Sequence, residues 1–537
     1  MTNKIPWMAL MGVFILSIVY PPNLRVNSAA SPAVDPEGCV PNVLVIFDQP
    51  FGKGFTALDD AGGCVVHVFP PRVVIGFLPD SRGVDSLPGA SIYRDGVDEK
   101  FVSGMDPVTA LVARVWNVNH TQPQETQFIS PQAHPLAGDT RTVEVELQEQ
   151  PQSVNGAPGY YNLSAFMAGR VAVGIILPES AGSGENWDAA RMNQVVGEIQ
   201  QGMNWWVGFN PGGSLQFVYD INLQIPTTVE PISLPSYQDN VWISQTLSYL
   251  GFTQSGWIDK SYAYLNSLRE TKDADWAVLI FVVDSLKDAD GMFSDYYFGY
   301  TYMGPPVIVM TYDNDNWGIG NMDSVTAHEF AHDFGAGDEY YTPGYATCSC
   351  RSVMGYLGIQ NVNCEGGCHD GGGGCSKCVT VSCLMRTGGT SSGVCDVSRH
   401  QVGMRDSDGD GLLDPVDTFP AFTITSQPND NGANPTVTYT GSVNDIPWTS
   451  PTGPSMTINT ITSVQYSLDD GAWLPVPAVD GIYDEVDELF SLTIYGLGQG
   501  DHQIKLIAVN RWGNSTEWMD SFSVLEVETI FLPVLLR

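Results

Sequence analysis

The sequence predicts an α+β fold in three parts: a small N-terminal α+β unit, a larger central domain of strands and helices, and a C-terminal all-β sandwich. Three observations predict it. Between residues 160 and 420, apolar strand-like runs alternate with stretches of helical period. From residue 421 onward the pattern becomes short alternating strands punctuated by Asp-Gly turns. Ahead of both, residues 35–115 hold three strand-like runs, and a Gln-, Pro- and Thr-rich linker at 116–159 sets them apart. A chain of 537 residues has room for about two to four such units.

The elements follow in chain order. Lys4, an apolar run over 7–20 and the small residues Ser28, Ala29 and Ala30 make residues 1–30 read as a secretory signal. That apolar core is short for a spanning helix, and no later run is long enough, so a secreted mature chain without a membrane span is expected. Residues 43–47, 64–69 and 73–77 are the strands of the N-terminal unit, with a helix near 55–61. In the central domain, 171–177 is a strand. Residues 186–207 form a long helix, with Met192, Val195, Val196 and Ile199 at helical spacing. Residues 257–268 form another helix, and 276–283 a strand buried on both faces. Pro305 and Pro306 ahead of 307–310 suggest an edge strand there. A turn-rich stretch at 313–320 leads into a helix starting at about Met322.

That last helix carries the most informative residues of the chain. Residues 328–340 read H-E-F-A-H-D-F-G-A-G-D-E-Y. On a helix, His328 and His332 are four apart and face the same way, so their imidazoles can grip one zinc ion. Glu329 is placed to reach a water on that ion without binding the metal. Zinc lowers the pKa of such a water to about 7, and the carboxylate takes its proton. This is the chemistry of peptide hydrolysis. Gly335 lets the helix end in a turn, and the chain can then swing Asp338 back as a third ligand. Glu339 competes for that role, or orients a ligating histidine instead. Tyr340 either helps polarise a scissile carbonyl or is a buried structural tyrosine.

The extended motif resembles that of the metzincin zinc metallopeptidases, with Asp338 where most of them carry histidine. Among these, residues 328–340 are similar to the immune inhibitor A and the IgA-type metallopeptidase families. The resemblance implies a metzincin-like zinc peptidase domain over 160–420, a protein or peptide substrate, and Glu329 as general base. It also implies a Met-turn beneath the metal. Met385, in Ser-Cys-Leu-Met-Arg, is preferred over Met354 because it ends the cysteine-rich region. An edge strand beside the cleft, here 307–310, would pair with extended substrate. A small module ahead of a peptidase reads equally as a propeptide or an accessory domain.

The second strong motif begins at Asp406. Asp406, Asp408, Asp410, the Leu412 carbonyl, Asp414 and Asp417 have the spacing of a calcium loop of EF-hand type, with Asp in place of Glu at its last position. Pro415 argues against a regular exiting helix, so the loop reads as a structural Ca2+ clamp between the peptidase and the next domain. The runs 435–439, 461–466, 489–494 and 502–509, with turns at Asp469-Asp470-Gly471 and Asp480-Gly481, form a β-sandwich over 421–537. It resembles immunoglobulin-like or fibronectin-type modules, which implies spacing, substrate attachment or adhesion to a cell-surface or glycoprotein target.

Charge and cysteines bound the rest. Lys plus Arg total 23 against 60 for Asp plus Glu, a formal net charge of -37. This disfavours nucleic acid and anionic membranes as partners. The 10 cysteines suit an exported chain. Cys39 and Cys64 are free to pair with each other. Cys364-x3-Cys368 and Cys375-x2-Cys378 suggest either disulfides or a second zinc site, and export favours disulfides. The alternative to an endopeptidase is a calcium-dependent extracellular adhesin whose zinc is structural. A glycan- or mucin-directed peptidase is a third reading.

Overall fold

The computed structural model describes residues 39–51, 58–59, 61–79, 87, 89–121, 156–180, 182, 184–210, 212–315, 317–340, 349–365, 378–428 and 435–525. The expected signal at 1–30, most of the helix near 55–61 and most of the linker at 116–159 lie outside them. So do part of the cysteine-rich stretch and residues 526–537. None of the described helices is long and apolar enough to cross a membrane.

The first eleven strands are β1 (Val43–Phe47), β2 (Cys64–Phe69), β3 (Val73–Phe77), β4 (Ala90–Tyr93), β5 (Arg170–Ser180), β6 (Gln216–Thr227), β7 (Trp276–Val283), β8 (Gly299–Met303), β9 (Pro306–Thr311), β10 (Ser349–Met354) and β11 (Ile359–Asn361). The helices are α1 (Glu99–Val102), α2 (Pro107–Thr121), α3 (Ala189–Val207), α4 (Asn240–Tyr249), α5 (Trp257–Thr271), α6 (Met322–Asp333), α7 (Leu384–Thr387) and α8 (Asp396–Gln401). Among the described residues, β1 to β9 form one sheet in the order β4-β1-β3-β2-β6-β5-β7-β9-β8. The sheet is antiparallel from β4 to β2, parallel from β2 through β6, β5 and β7 to β9, and antiparallel again at β8.

Both faces of the sheet are covered, as the unbroken apolar run of β7 requires. Side chains alternate across a strand. Trp276, Val278, Ile280 and Val282 of β7 join Val195, Ile199, Met203 and Trp206 of α3 and Val325 and Phe330 of α6 in one core. Ala277, Leu279, Phe281 and Val283 pack on the other side with Trp242, Ile243 and Leu247 of α4 and Tyr264, Leu265 and Leu268 of α5. Helix α6 is buried almost all round, so it lies inside the domain rather than on its surface.

Two expectations change. The strands of 35–115 do not form a sheet of their own: β2 pairs in parallel with β6, His67 opposite Phe217 and Val68 opposite Val218. The N-terminal unit extends the central sheet. Nor is 307–310 the edge. It lies within β9, between β7 and β8, and Gly299–Met303 is the outer strand. Pro305 falls in the connection between β8 and β9, and the Pro306 position opens β9 opposite Met303, so the proline pair marks a hairpin rather than an edge.

The C-terminal part adds β12 (Pro420–Ser426), β13 (Val437–Asp445), β14 (Ile461–Leu468), β15 (Leu474–Pro475), β16 (Asp487–Ile494), β17 (Gly500–Asn510) and β18 (Ser515–Val524). They make two antiparallel sheets, β12-β13-β16 and β15-β14-β17-β18. One core joins both, with Tyr439, Val443 and Phe490 from the first meeting Val464, Ile504, Leu506 and Phe522 from the second. The turn at Asp469 and Asp470 has positive φ at both residues, 52° and 57°. This sandwich is fastened to the large sheet. Arg511 reaches Asp275, just ahead of β7, with two contacts of 2.8 Å. The Tyr356 hydroxyl accepts from Met456 N at 3.0 Å.

Candidate metal centre

Helix α6 presents its residues where α3 and β8 hold it. Gly202 of α3 allows the approach: a Cβ there would sit 2.5 Å from the Asp323 carbonyl oxygen. The Trp206 indole N–H donates to the Ala327 carbonyl at 2.9 Å, one residue before the first histidine. The helix then ends at Gly335, whose φ of +86° suits glycine and whose Cβ would meet Gly355 Cα at 2.7 Å. Asn361 Nδ2 donates to the Asp338 carbonyl at 2.8 Å, and Glu339 N donates to the Met385 carbonyl at 2.9 Å. These contacts fix the returning chain.

The outcome is a tight triad. His328 Nε2 and His332 Nε2 lie 3.2 Å apart, and Asp338 Oδ1 lies 3.2 Å from each. All three residues are buried. His332 Nδ1 is 2.9 Å from the Ala336 carbonyl and His328 Nδ1 3.4 Å from the Leu384 carbonyl. With those Nδ1 atoms as donors, each ring turns its Nε2 lone pair inward. Asp338 Oδ1 faces those two ring nitrogens. An ion at about 2.0–2.1 Å from three tetrahedral ligand atoms spaces them by about 3.3 Å, so these three residues fit a metal as they stand.

Electrostatics agree with that fit. Burial works against charge on Asp338, but the two imidazoles outweigh it and hold the carboxyl well below the usual range. Burial likewise opposes charge on His332, yet Asp338 and then Glu329 raise its pKa to about 9. The triad therefore favours a positive charge at its centre. Glu339 does not join it. Its carboxylate turns away and accepts from Ser398 Oγ at 2.8 Å and Asn363 Nδ2 at 2.7 Å.

Glu329 stands beside the triad with a partner that sequence reasoning missed. Thr301 Oγ1 of β8 lies 2.7 Å from Glu329 Oε2 and 3.1 Å from the Glu329 carbonyl. Thr301 is fully buried. Nothing local marks it, because the contact depends on which strand lies outermost. Met385 is also fully buried, and its neighbour Leu384 supplies the carbonyl facing His328. Met354, on β10, is only partly buried. The Tyr340 ring lies 6.4 Å from that of His328 at an interplanar angle of 23°.

No family model matches this chain, and no curated protein matches it. Among solved structures, catalytically inactive OgpA from Akkermansia muciniphila, in complex with an O-glycopeptide substrate, is similar at 9% identity over 68% of this chain and 94% of that one, with a TM-score of 0.22. Dimeric latent PorU from Porphyromonas gingivalis matches at 17% identity over 21% of this chain, with a TM-score of 0.15. The sulfane dehydrogenase SoxCD from Paracoccus pantotrophus matches at 19% identity over 19% of this chain, also with a TM-score of 0.15. The matched stretch spans 11% of the PorU chain and 23% of the SoxCD chain. Likenesses this slight carry no argument about this chain.

Of the expected calcium ligands, Asp406, Asp408 and Asp410 come together at the surface, with one ligand atom from each within 4.8 Å of the others. Asp414 accepts from Ser407 N of the same loop at 2.8 Å and pairs with Arg405 Nε at 2.5 Å. Asp417 accepts from Asn514 Nδ2 of the sandwich at 2.8 Å. Cys39 and Cys64 are bridged, and Cys350, Cys364 and Cys378 are disulfide-bonded.

Proposed function

We propose that this chain is a secreted zinc-dependent endopeptidase of metzincin type. The observation that carries the reading is the convergence of His328 Nε2, His332 Nε2 and Asp338 Oδ1 at 3.2 Å from one another, beside a carboxylate left out of the triad. A zinc ion held there supplies Lewis acidity to a water and to the scissile carbonyl. The protein's own residues do the rest. Glu329, held by Thr301, takes the proton from the attacking water and later delivers it to the leaving amine. The Ala336 and Leu384 carbonyls keep both imidazoles in the tautomer that ligates. Among the described residues three side chains would hold the ion, whereas a purely structural site adds a fourth.

The remaining parts are assigned on the same footing. Asp406, Asp408 and Asp410 hold a structural Ca2+, and the immunoglobulin-like sandwich targets a protein or glycoprotein surface. The test is zinc content together with cleavage of a broad peptide library, with and without chelator. Glu329→Gln is expected to keep its zinc and lose about two to four orders of magnitude in kcat. Full proteolysis by that variant would remove Glu329 from the mechanism. Bound zinc with no cleavage by the wild type would favour the adhesin instead.

A further inference from the structure

A second group of ligating side chains includes Glu339, the residue after the triad's Asp338. Glu339 and Cys383 are fully buried and Cys395 nearly so. One ligand atom from each lies within 4.8 Å of the others. Cys395 Sγ is 3.2 Å from Glu339 Oε1. Ser398 Oγ lies 2.8 Å from that same oxygen, 3.2 Å from Cys383 Sγ and 3.4 Å from Cys395 Sγ. Ser398 is itself fully buried. Two sulfurs and two oxygens therefore gather in one buried cluster. Around zinc, with Zn–S near 2.3 Å and Zn–O near 2.0–2.2 Å, such ligand atoms stand about 3.3–3.8 Å apart. The four separations above lie within about half an ångström of that spacing.

The chemistry of the cysteines points the same way. Cys39 and Cys64 are bridged, and Cys350, Cys364 and Cys378 are disulfide-bonded. Cys383 and Cys395 keep free thiols although they are neighbours, with Cys395 N donating to Cys383 Sγ at 3.1 Å. Asn363 Nδ2 donates both to Glu339 Oε2 at 2.7 Å and to Cys395 Sγ at 3.4 Å, as outer partners of metal ligands do. The three ligands come from separate stretches: the tail of the histidine motif, the residue before α7, and the residue before α8.

We propose that Glu339, Cys383 and Cys395, with the Ser398 hydroxyl as the fourth ligand, form a second, structural zinc site. Zinc replaces the two thiol protons, which leave to solvent, so no oxidant is involved. The ion ties the returning motif and the Met385 segment to α8. Because Glu339 follows Asp338 and its N–H binds the Met385 carbonyl, the second ion stiffens the wall of the first site. The assignment does not depend on the triad being catalytic.

The experiment combines zinc analysis with thiol titration on the full chain. Wild type is expected to hold two zinc per chain. Its two thiols should react only after denaturation with chelator. Cys383→Ser with Cys395→Ser should drop the content from two zinc to one. His328→Ala should lose the other zinc and keep this one. Should the double cysteine variant fail to fold, cobalt(II) loaded into His328→Ala must show a near-ultraviolet thiolate-to-cobalt absorption band. Absence of titratable thiols in denatured wild type would reveal a Cys383–Cys395 disulfide and overturn the proposal. Two thiols with no cobalt–sulfur band would overturn it equally.

Discussion

Thr301 constrains the carboxylate it touches. A hydroxyl 2.7 Å from Glu329 Oε2 fixes the rotamer of the proposed base through one of its two oxygens. Thr301→Val keeps the shape and removes the donor, so kcat should fall about tenfold to a hundredfold with KM nearly unchanged. Thr301→Ser should restore most of the loss, and equal damage from both variants would count against a positioning role. A second prediction concerns His332. Its pKa in the metal-free chain is raised from 6.5 to about 9, chiefly by Asp338 against the cost of burial. A raised folded pKa stabilises the charged form, so that stabilisation is complete below pH 6.5 and is lost as pH rises through about 9. The melting temperature of chelator-treated protein should accordingly fall across this window. Metal must displace the same proton, so zinc affinity should climb with pH up to about 9 and titrations near pH 7 should release close to one proton.

At the scale of elements, the packing of α3 on α6 decides how firmly the histidines are held. Gly202→Ala places a methyl 2.5 Å from the Asp323 carbonyl oxygen and must push the helices apart. A loss of about 1–3 kcal/mol in urea unfolding is expected, with weakened zinc binding. Unchanged stability would mean that α6 adjusts freely. The same helix shows what the sequence discloses and what it does not. Residues 328–338 announce their chemistry because four residues bring two side chains to one face. The helix itself has no apolar stripe to read, since nearly every side is buried. Strand β7 was legible to the residue as an uninterrupted apolar run. Strand β8 and α4 were not, because Gly299–Met303 and Asn240–Tyr249 gain their state from tertiary neighbours. The Glu339, Cys383 and Cys395 cluster was hidden for the same reason. Its members are spread along the chain and lack the close spacing of the cysteines at 364–378.

On the scale of the whole molecule, the N-terminal strands and the central strands share one sheet. Pairing between His67 and Phe217 leaves no local trace in sequence, so the shared sheet was not foreseeable. The sandwich is likewise held by a paired ion contact, Arg511 to Asp275, with Arg511 27% and Asp275 15% exposed. Asp275 also accepts from Arg170 N at 2.7 Å, at the start of β5. Arg511→Ala should therefore cost about 1–3 kcal/mol, less than a fully buried pair because part of the guanidinium is wet. Calorimetry should show the sandwich separating as an earlier transition, and a single unchanged transition would mean that the pair is not what joins the two parts.

The order of strands has a consequence for how this chain comes to be folded. Strand β2 must wait for β6, which follows it by about a hundred and fifty residues, and Arg511 must find a partner 236 positions back. Contacts so distant along the chain close slowly. A chain made only as far as α6 thus has sheet edges but no completed metal centre, since Asp338 and the Leu384 carbonyl come from later segments. Any activity seated there therefore awaits synthesis beyond Leu384.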